Sequence, residues 1–251
     1  MNAKMTQIER WMYRAWSEDE EAAELYFRQE SEHREGLIAA MREARVSALS
    51  VFGGGGHWFL YAETEQDGGA GEPSGIFESQ SSGSAPGRFE DEAFEPELLL
   101  PGADSVLSAW PGETRSRSFV PMADIFHYQR PADGEHWRRT GQTESYGRIA
   151  RLKPDKVSSY VFYHYQYQEE KPGDGDKYGI IGLNENLLFF YAERPSTVEP
   201  APYEGTLTTR NTPQDWAAVM QPHFVEWPDR QENEKIWLNL KRAFDIRMPE
   251  A

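Results

Sequence analysis

Trp58-Phe59-Leu60-Tyr61-Ala62-Glu63 returns 130 positions later as Leu188-Phe189-Phe190-Tyr191-Ala192-Glu193. Around this hexapeptide other landmarks repeat in the same order. Met12-Tyr13-Arg14-Ala15-Trp16 through Tyr26 lies without a gap over Tyr146-Gly147-Arg148-Ile149-Ala150 through Tyr160, setting Arg14 on Arg148 and Tyr26 on Tyr160. Ala109-Trp110-Pro111 matches Glu226-Trp227-Pro228. Shared order over a long period is the mark of an internal repeat. The chain therefore reads as two related halves, 1–130 and 144–251, joined by a polar linker over 131–143. The offset between partners shrinks from 134 (26 and 160) to 117 (110 and 227), so the first half carries extra chain. Residues 66–100, rich in Gly, Ser, Pro and acid, supply it. That composition does not offset its ordering entropy by burial and predicts a surface loop insertion.

Each half alternates element types in one order. Ile8 to Trp16 and Tyr146 to Leu152 are short runs of aromatic and β-branched residues, hence strands. Helices are expected after Ser17-Glu18-Asp19-Glu20-Glu21, which offers an N-cap and acid for the positive dipole end, and after Lys153-Pro154-Asp155. Paired apolar runs follow, separated by Gly53-Gly54-Gly55-Gly56 in one half and Asn184-Glu185-Asn186 in the other, which are hairpin turns. The apolar segments 119–126 and 236–244 close the halves. The result is α+β: two tandem ferredoxin-like βαββαβ halves. Each bare sheet face needs a cover, and two such units cover each other as a pseudo-dimeric α/β barrel within one chain. A small-molecule site belongs in its interior. The fused pair is free to dimerise again.

Composition narrows the function. The formal charge of −16 repels phosphate backbones and anionic lipid, so neither nucleic acid nor a membrane surface is an expected partner. The absence of cysteine removes thiolate nucleophiles and Cys-based metal sites. The six histidines, at 33, 57, 127, 136, 164 and 223, lack metal-ligand spacing, so no metal is expected. No Gly-x-Ser-x-Gly or dinucleotide fingerprint occurs. The N-terminus has no apolar signal region and no long uncharged apolar run exists, which makes a cytoplasmic protein the expectation.

Chemistry is most visible on the second-half helix. Tyr160, Tyr163, His164 and Tyr167 fall at i, i+3, i+4 and i+7, one stripe carrying an imidazole and three phenols. Such a stripe either packs its rings with the hydroxyls in water or forms a polar aromatic pocket that stacks on a sugar ring and exchanges protons. The first-half counterpart is Tyr26 and Glu30, with Trp110 farther along, a degenerate second site on a charged helix.

Lys153-Pro154-Asp155, Tyr160 and His164, followed by Tyr178-Gly179-Ile180-Ile181-Gly182-Leu183, the 187–193 strand and Trp216 to Trp227, resemble the L-rhamnose mutarotase family. The resemblance covers most of the second half and, more faintly, the first. It implies a dimeric α/β barrel that interconverts the anomers of a free sugar without a cofactor. By that resemblance His164 is the acid/base group, Tyr160 and Tyr178 bind sugar hydroxyls and Trp227 offers a stacking face. Tyr163 joins them on the helix stripe. An imidazole titrating near neutrality suits proton transfer at the ring oxygen and the anomeric hydroxyl. The chain departs from the family where the post-His164 segment is about five residues shorter and where Glu30 stands opposite His164. A non-catalytic sugar or small-molecule binder is the alternative, and another activity of the dimeric α/β-barrel type a third.

Overall fold

The computed structural model describes residues 6–67, 94–110, 117–132, 137–138 and 141–248. The first half opens with β1 (Thr6–Trp16), then a helix broken at His33 into α1 (Glu20–Glu32) and α2 (Arg34–Glu43). Asp19 supplies the N-cap, accepting from the Ala22 N–H at 2.9 Å, while Glu20 and Glu21 sit at the positive dipole end. The hairpin β2 (Val46–Gly54) and β3 (His57–Asp67) turns on Gly55 and Gly56, whose φ of +59° and +78° lie in the left-handed region glycine enters without penalty. The short strands β4 (Val120–Pro121) and β5 (Ala123–His127) end the half.

The second half repeats this order with β6 (Glu144–Leu152), α3 (Val157–Glu170), and the hairpin β7 (Ile180–Asn184) and β8 (Leu187–Arg194). Next come α4 (Trp216–Met220), β9 (Phe224–Val225), β10 (Leu238–Asn239) and β11 (Lys241–Arg247). A second helix is expected in each half, but only α4 fills that role. Among the described residues the first half has two single 3-10 turns there, Pro96–Leu98 and Ala103–Ser105, where Pro96, Pro101 and Gly102 interrupt longer helix.

Two antiparallel sheets result, ordered β11-β2-β3-β1-β4 and β5-β7-β8-β6-β10, with β9 also paired to β6. The architecture is mixed α+β, compatible with a ferredoxin-like, dimeric α/β-barrel fold. One feature of the closing segments differs from expectation. Each segment divides: its first residues pair with their own half's opening strand, and the rest crosses over. β5 pairs with β7 and β11 with β2, so each half finishes the other's sheet. Crossing covers the exposed edges of β2 and β7, which would otherwise present unpaired N–H and C=O groups.

The sheets pack face to face. Phe59 stacks on Phe189 with ring centroids 4.8 Å apart and Tyr61 on Tyr191 at 3.6 Å, so the repeated hexapeptides meet each other. Met12, Phe52, Ile149 and Ile180 complete this layer. Gly147 leaves room for it, since a Cβ there would lie 2.9 Å from Phe189 and 3.0 Å from Phe52.

Strand register corrects one equivalence read from the sequence. Arg14 lies opposite Phe59, whereas Arg148 lies opposite Phe190, the counterpart of Leu60. The true partner of Arg148 is therefore Tyr13. A one-residue slip moves a side chain to the other sheet face. Arg14 points into the seam between halves, bonding Asn184 and Glu185, and Arg148 points toward the helices.

Most of the 66–100 insertion, residues 68–93, lies outside the described residues. Its beginning extends β3, and its end is core rather than surface loop: Leu99 and Leu100 are buried with Ala103 and Leu107 against the first sheet. Within 131–143, Trp137 is buried beside Tyr178, while Ala132, Gly141 and Gln142 are exposed. Arg138 bonds both Glu63 (2.9 Å from Nε) and Glu193 (2.6 Å from Nη1). Among the described residues no helix is long and apolar enough to cross a membrane.

Candidate functional site

A cavity of about 490 Å³ opens between the second sheet and helices α3 and α4. α3 contributes Tyr160, His164 and Tyr167 from one face; β5 and its continuation contribute Phe126 and Tyr128; β6 and β8 contribute Arg148 and Phe190. Trp216 and Gln221 from α4 and the turn after it, and Trp237 before β10, complete the rim. α4 is held in place by His223. Its Nδ1 lies 3.2 Å from the Met220 carbonyl, and its Nε2 shares a hydrogen bond with the Ser159 hydroxyl of α3 at 2.9 Å. The α3 stripe thus faces the cavity through three of its four members. Tyr163, the fourth, packs edge-on to His223 instead.

His164 is buried, at 4% exposure, with its ring over Tyr160 (3.9 Å between centroids) and edge-on to Trp216 (4.9 Å) and Phe126 (5.2 Å). Its Nδ1 lies 2.9 Å from the Tyr160 carbonyl, and a carbonyl only accepts, so Nδ1 carries the proton. Nε2 is left with the lone pair, on a ring that lines the cavity. Burial lowers the pKa to about 4, more than the bond to the Tyr160 carbonyl restores, with His223 lowering it further. The resemblance implies an acid/base imidazole titrating near neutrality. The neutral ring has no proton on Nε2 to give at pH 7; it is an acceptor.

Tyr160 is nearly fully buried and its hydroxyl is held protonated well above the usual range, first by desolvation and then by Tyr128. Tyr167 donates to Asp174 at 2.8 Å. The lining residues then bring the Tyr160 and Tyr128 hydroxyls, His164 Nε2, the Gln221 amide and the Arg148 guanidinium, set among Phe, Trp and Tyr rings. No lining residue is Asp or Glu.

Two residues implicated by the resemblance lie elsewhere. Tyr178 is buried with Ile8 and Trp137, its hydroxyl donating to the Trp137 carbonyl at 3.3 Å and Arg138 lying 4.5 Å over its ring. Trp227 donates from Nε1 to the Ile236 carbonyl at 3.1 Å and stacks under Arg151 at 4.4 Å. Both are seam and rim packing, because β7 begins only after Tyr178 and the Trp227-Pro228 turn folds back toward the sheet interface. Trp216 and Trp237 supply the indole faces instead.

The first-half residues do not form a matching site. Tyr26 donates to the Pro101 carbonyl at 3.2 Å and packs on Phe27, with desolvation and then Glu30 raising its pKa. Glu30 is half-buried on α1. Trp110 stacks against Arg14 at 4.9 Å, in the seam.

Arg148 and Trp237 are not among the site residues named from the sequence, and Trp216 enters there only as part of the segment that carries the resemblance. Alternation shows the first: Ile149 faces the sheet interface while Ala150 and Leu152 join the helix-side core. Arg148 is thus a charge on the apolar face of β6.

No protein-family model and no curated sequence matches the chain. Among solved structures, it is similar in chain course to a "putative monooxygenase" from Lactobacillus acidophilus NCFM, with a TM-score of 0.40 and 7% identity over 96% of each chain. It is also similar to a "putative monooxygenase" from Fusobacterium nucleatum, with a TM-score of 0.37 and 9% identity over 98% of this chain and 96% of that one.

Proposed function

We propose that the second half is a binding site for a small, flat, largely apolar molecule, held in the cavity under α4. The observation that carries this reading is the wall: eight aromatic rings (Phe126, Tyr128, Tyr160, Tyr167, Phe190, Trp216, Phe224 and Trp237) around about 490 Å³. That volume is within the range of small-molecule pockets, and ring faces favour a planar guest. His164 Nε2 and the Tyr160 hydroxyl orient it, one accepting and one donating. Isothermal titration with naphthalene-sized aromatic probes tests the reading. Saturable binding that is lost in Trp216→Ala supports it, and no heat from any probe at millimolar concentration removes it.

Anomer exchange on a free sugar, the activity implied by the resemblance, draws support from Tyr160 and His164 bordering one cavity. The wall weighs against it, since a pyranose presents hydroxyls around its ring and needs more polar partners than this lining offers. Exchange NMR on several aldoses decides the matter: acceleration beyond buffer that vanishes in His164→Ala would restore mutarotation.

We also infer that the halves arose by duplication, supported by the matching strand orders and by the repeated hexapeptides stacking on each other. A chain built from two copies of the second half should then fold as a monomer with the same strand order. Aggregation of that chain, with intact parent protein as control, would count against the inference.

A further inference from the structure

Arg148 stands on β6 among the residues lining this cavity. Among the described residues no carboxylate lies within ion-pair distance of its guanidinium, and its Nε is buried without a hydrogen-bond acceptor. Its other neighbours are rings, Phe190 at 5.0 Å, Trp237 at 5.7 Å and Tyr146 at 5.8 Å from Cζ. Distances at the long end of the cation–π range compensate a desolvated charge only in part. A second cation, Arg194, also acts on it and lies 4.2 Å over the Tyr146 ring.

Two acids that bear on neighbouring Tyr128 are committed elsewhere. Asp174 accepts the Tyr167 hydroxyl, and Asp176 accepts the backbone N–H groups of Tyr178, Glu193 and Thr197. In a chain of net charge −16, a cation facing an aromatic cavity with no carboxylate on its lining is a local reversal of sign. A guanidinium forks naturally onto a carboxylate, making two parallel charge-assisted bonds.

We propose that Arg148 selects an anionic guest: a planar aromatic or conjugated carboxylate whose acid group pairs with the guanidinium. The inference rests on the cavity reading above and narrows it. The remaining polar lining adds a second requirement. His164 Nε2 only accepts, so a guest with a hydroxyl or N–H on its ring satisfies it, and hydroxy-substituted aromatic acids fit best.

The test compares 2-naphthoate, 3-hydroxy-2-naphthoate and the neutral 2-naphthamide by calorimetry at pH 7, on the full chain. The expected result is a preference of about 100-fold for either acid over the amide in wild type, falling to about threefold or less in Arg148→Met. Arg148→Lys, which keeps the charge without the fork, should retain part of the preference, and circular dichroism checks that each variant is folded. If neither acid nor amide binds, the cavity reading fails. If acid and amide bind equally in wild type, or if the preference persists in folded Arg148→Met, the cavity stands and the anion assignment is overturned. Should Arg148→Met not fold, an undiminished preference in Arg148→Lys together with no salt dependence of naphthoate binding overturns it equally.

Discussion

Tyr13 and Arg148 occupy the same place in the two halves, on the opening strand opposite Leu60 and Phe190 respectively. Tyr13 is answered. Its hydroxyl donates to the Phe94 carbonyl and its ring meets Phe94 edge-on at 6.0 Å. The segment carrying Phe94 goes on to bury Leu99, Leu100, Ala103 and Leu107 against the sheet, and Phe27 stacks on Trp58 at 4.4 Å beneath α1. In the second half a five-residue helix stands over the sheet, leaving a space and an unanswered cation. One strand order therefore makes a solid core or a pocket according to what lies over the helix side. The site is created by what the second half lacks.

The largest effect should come from the shared seam, where the two halves are alike. Glu63 and Glu193 are fully buried, bonded to Tyr61 (2.5 Å) and Tyr191 (2.8 Å) and both paired with Arg138. Arg138→Met takes the paired guanidinium from buried Glu63, while Glu193 keeps Arg247 at 3.1 Å, and is expected to cost about 3–5 kcal/mol, both halves unfolding in one transition during guanidinium titration. Two separated transitions would show that the halves are independent despite their exchanged strands.

Phe27→Ala sharpens the contrast between filled and hollow sides. It should cost about 3–5 kcal/mol, as for a ring removed from a closed core, whereas Phe190→Ala, already bordering open space, should cost about 1–2 kcal/mol. Equal losses in chemical denaturation would mean that the second half is packed as tightly as the first.

The buried imidazole gives a pH signature that belongs to the second half. His164 is neutral in the folded protein down to about pH 4 but takes up a proton near 6.5 once unfolded, so the unfolded state binds more protons in between. Stability is fully present above pH 6.5 and falls as pH drops toward 4. The contribution is about 3 kcal/mol at the lower limit. His57, at the start of β3, shares the direction, also lowered to about 4 by burial and then by Arg14 and Arg151, so the comparison must be with His164→Phe. The difference between wild type and that variant should shrink as pH falls over this window, and a constant difference would remove the assignment.

The smallest effect is a gain. Arg148→Met relieves a desolvated charge with no carboxylate partner among the described residues and should raise stability by about 1 kcal/mol while cutting the preference for acid over amide to about threefold or less. A loss of stability on thermal melting would indicate that the ring contacts hold the guanidinium better than their distances suggest.

How far the sequence could be read depended on range. The repeated hexapeptide, the hairpins at Gly55-Gly56 and 185–186, the Asp19 cap and the start of α3 are set by neighbours a few residues away, so composition and spacing disclose them. The stripe Tyr160, His164, Tyr167 follows from helical periodicity alone. Tyr178 and Trp227 failed because motif order does not say on which side of a sheet a residue lies. Arg14 matched Arg148 by identity, yet one residue of register set them on opposite faces.

By itself the sequence determined the α+β class, the strand, helix and hairpin that open each half, and the helix face carrying His164, because these depend on local propensity and on periods of two and 3.6 residues. The exchange of β5 and β11, the stacking of Tyr61 on Tyr191, the tautomer and depressed pKa of His164 and the isolation of Arg148 were decided only by tertiary structure. Each depends on which distant groups arrive beside a given residue or fail to arrive, and a partner's absence leaves no mark in the chain.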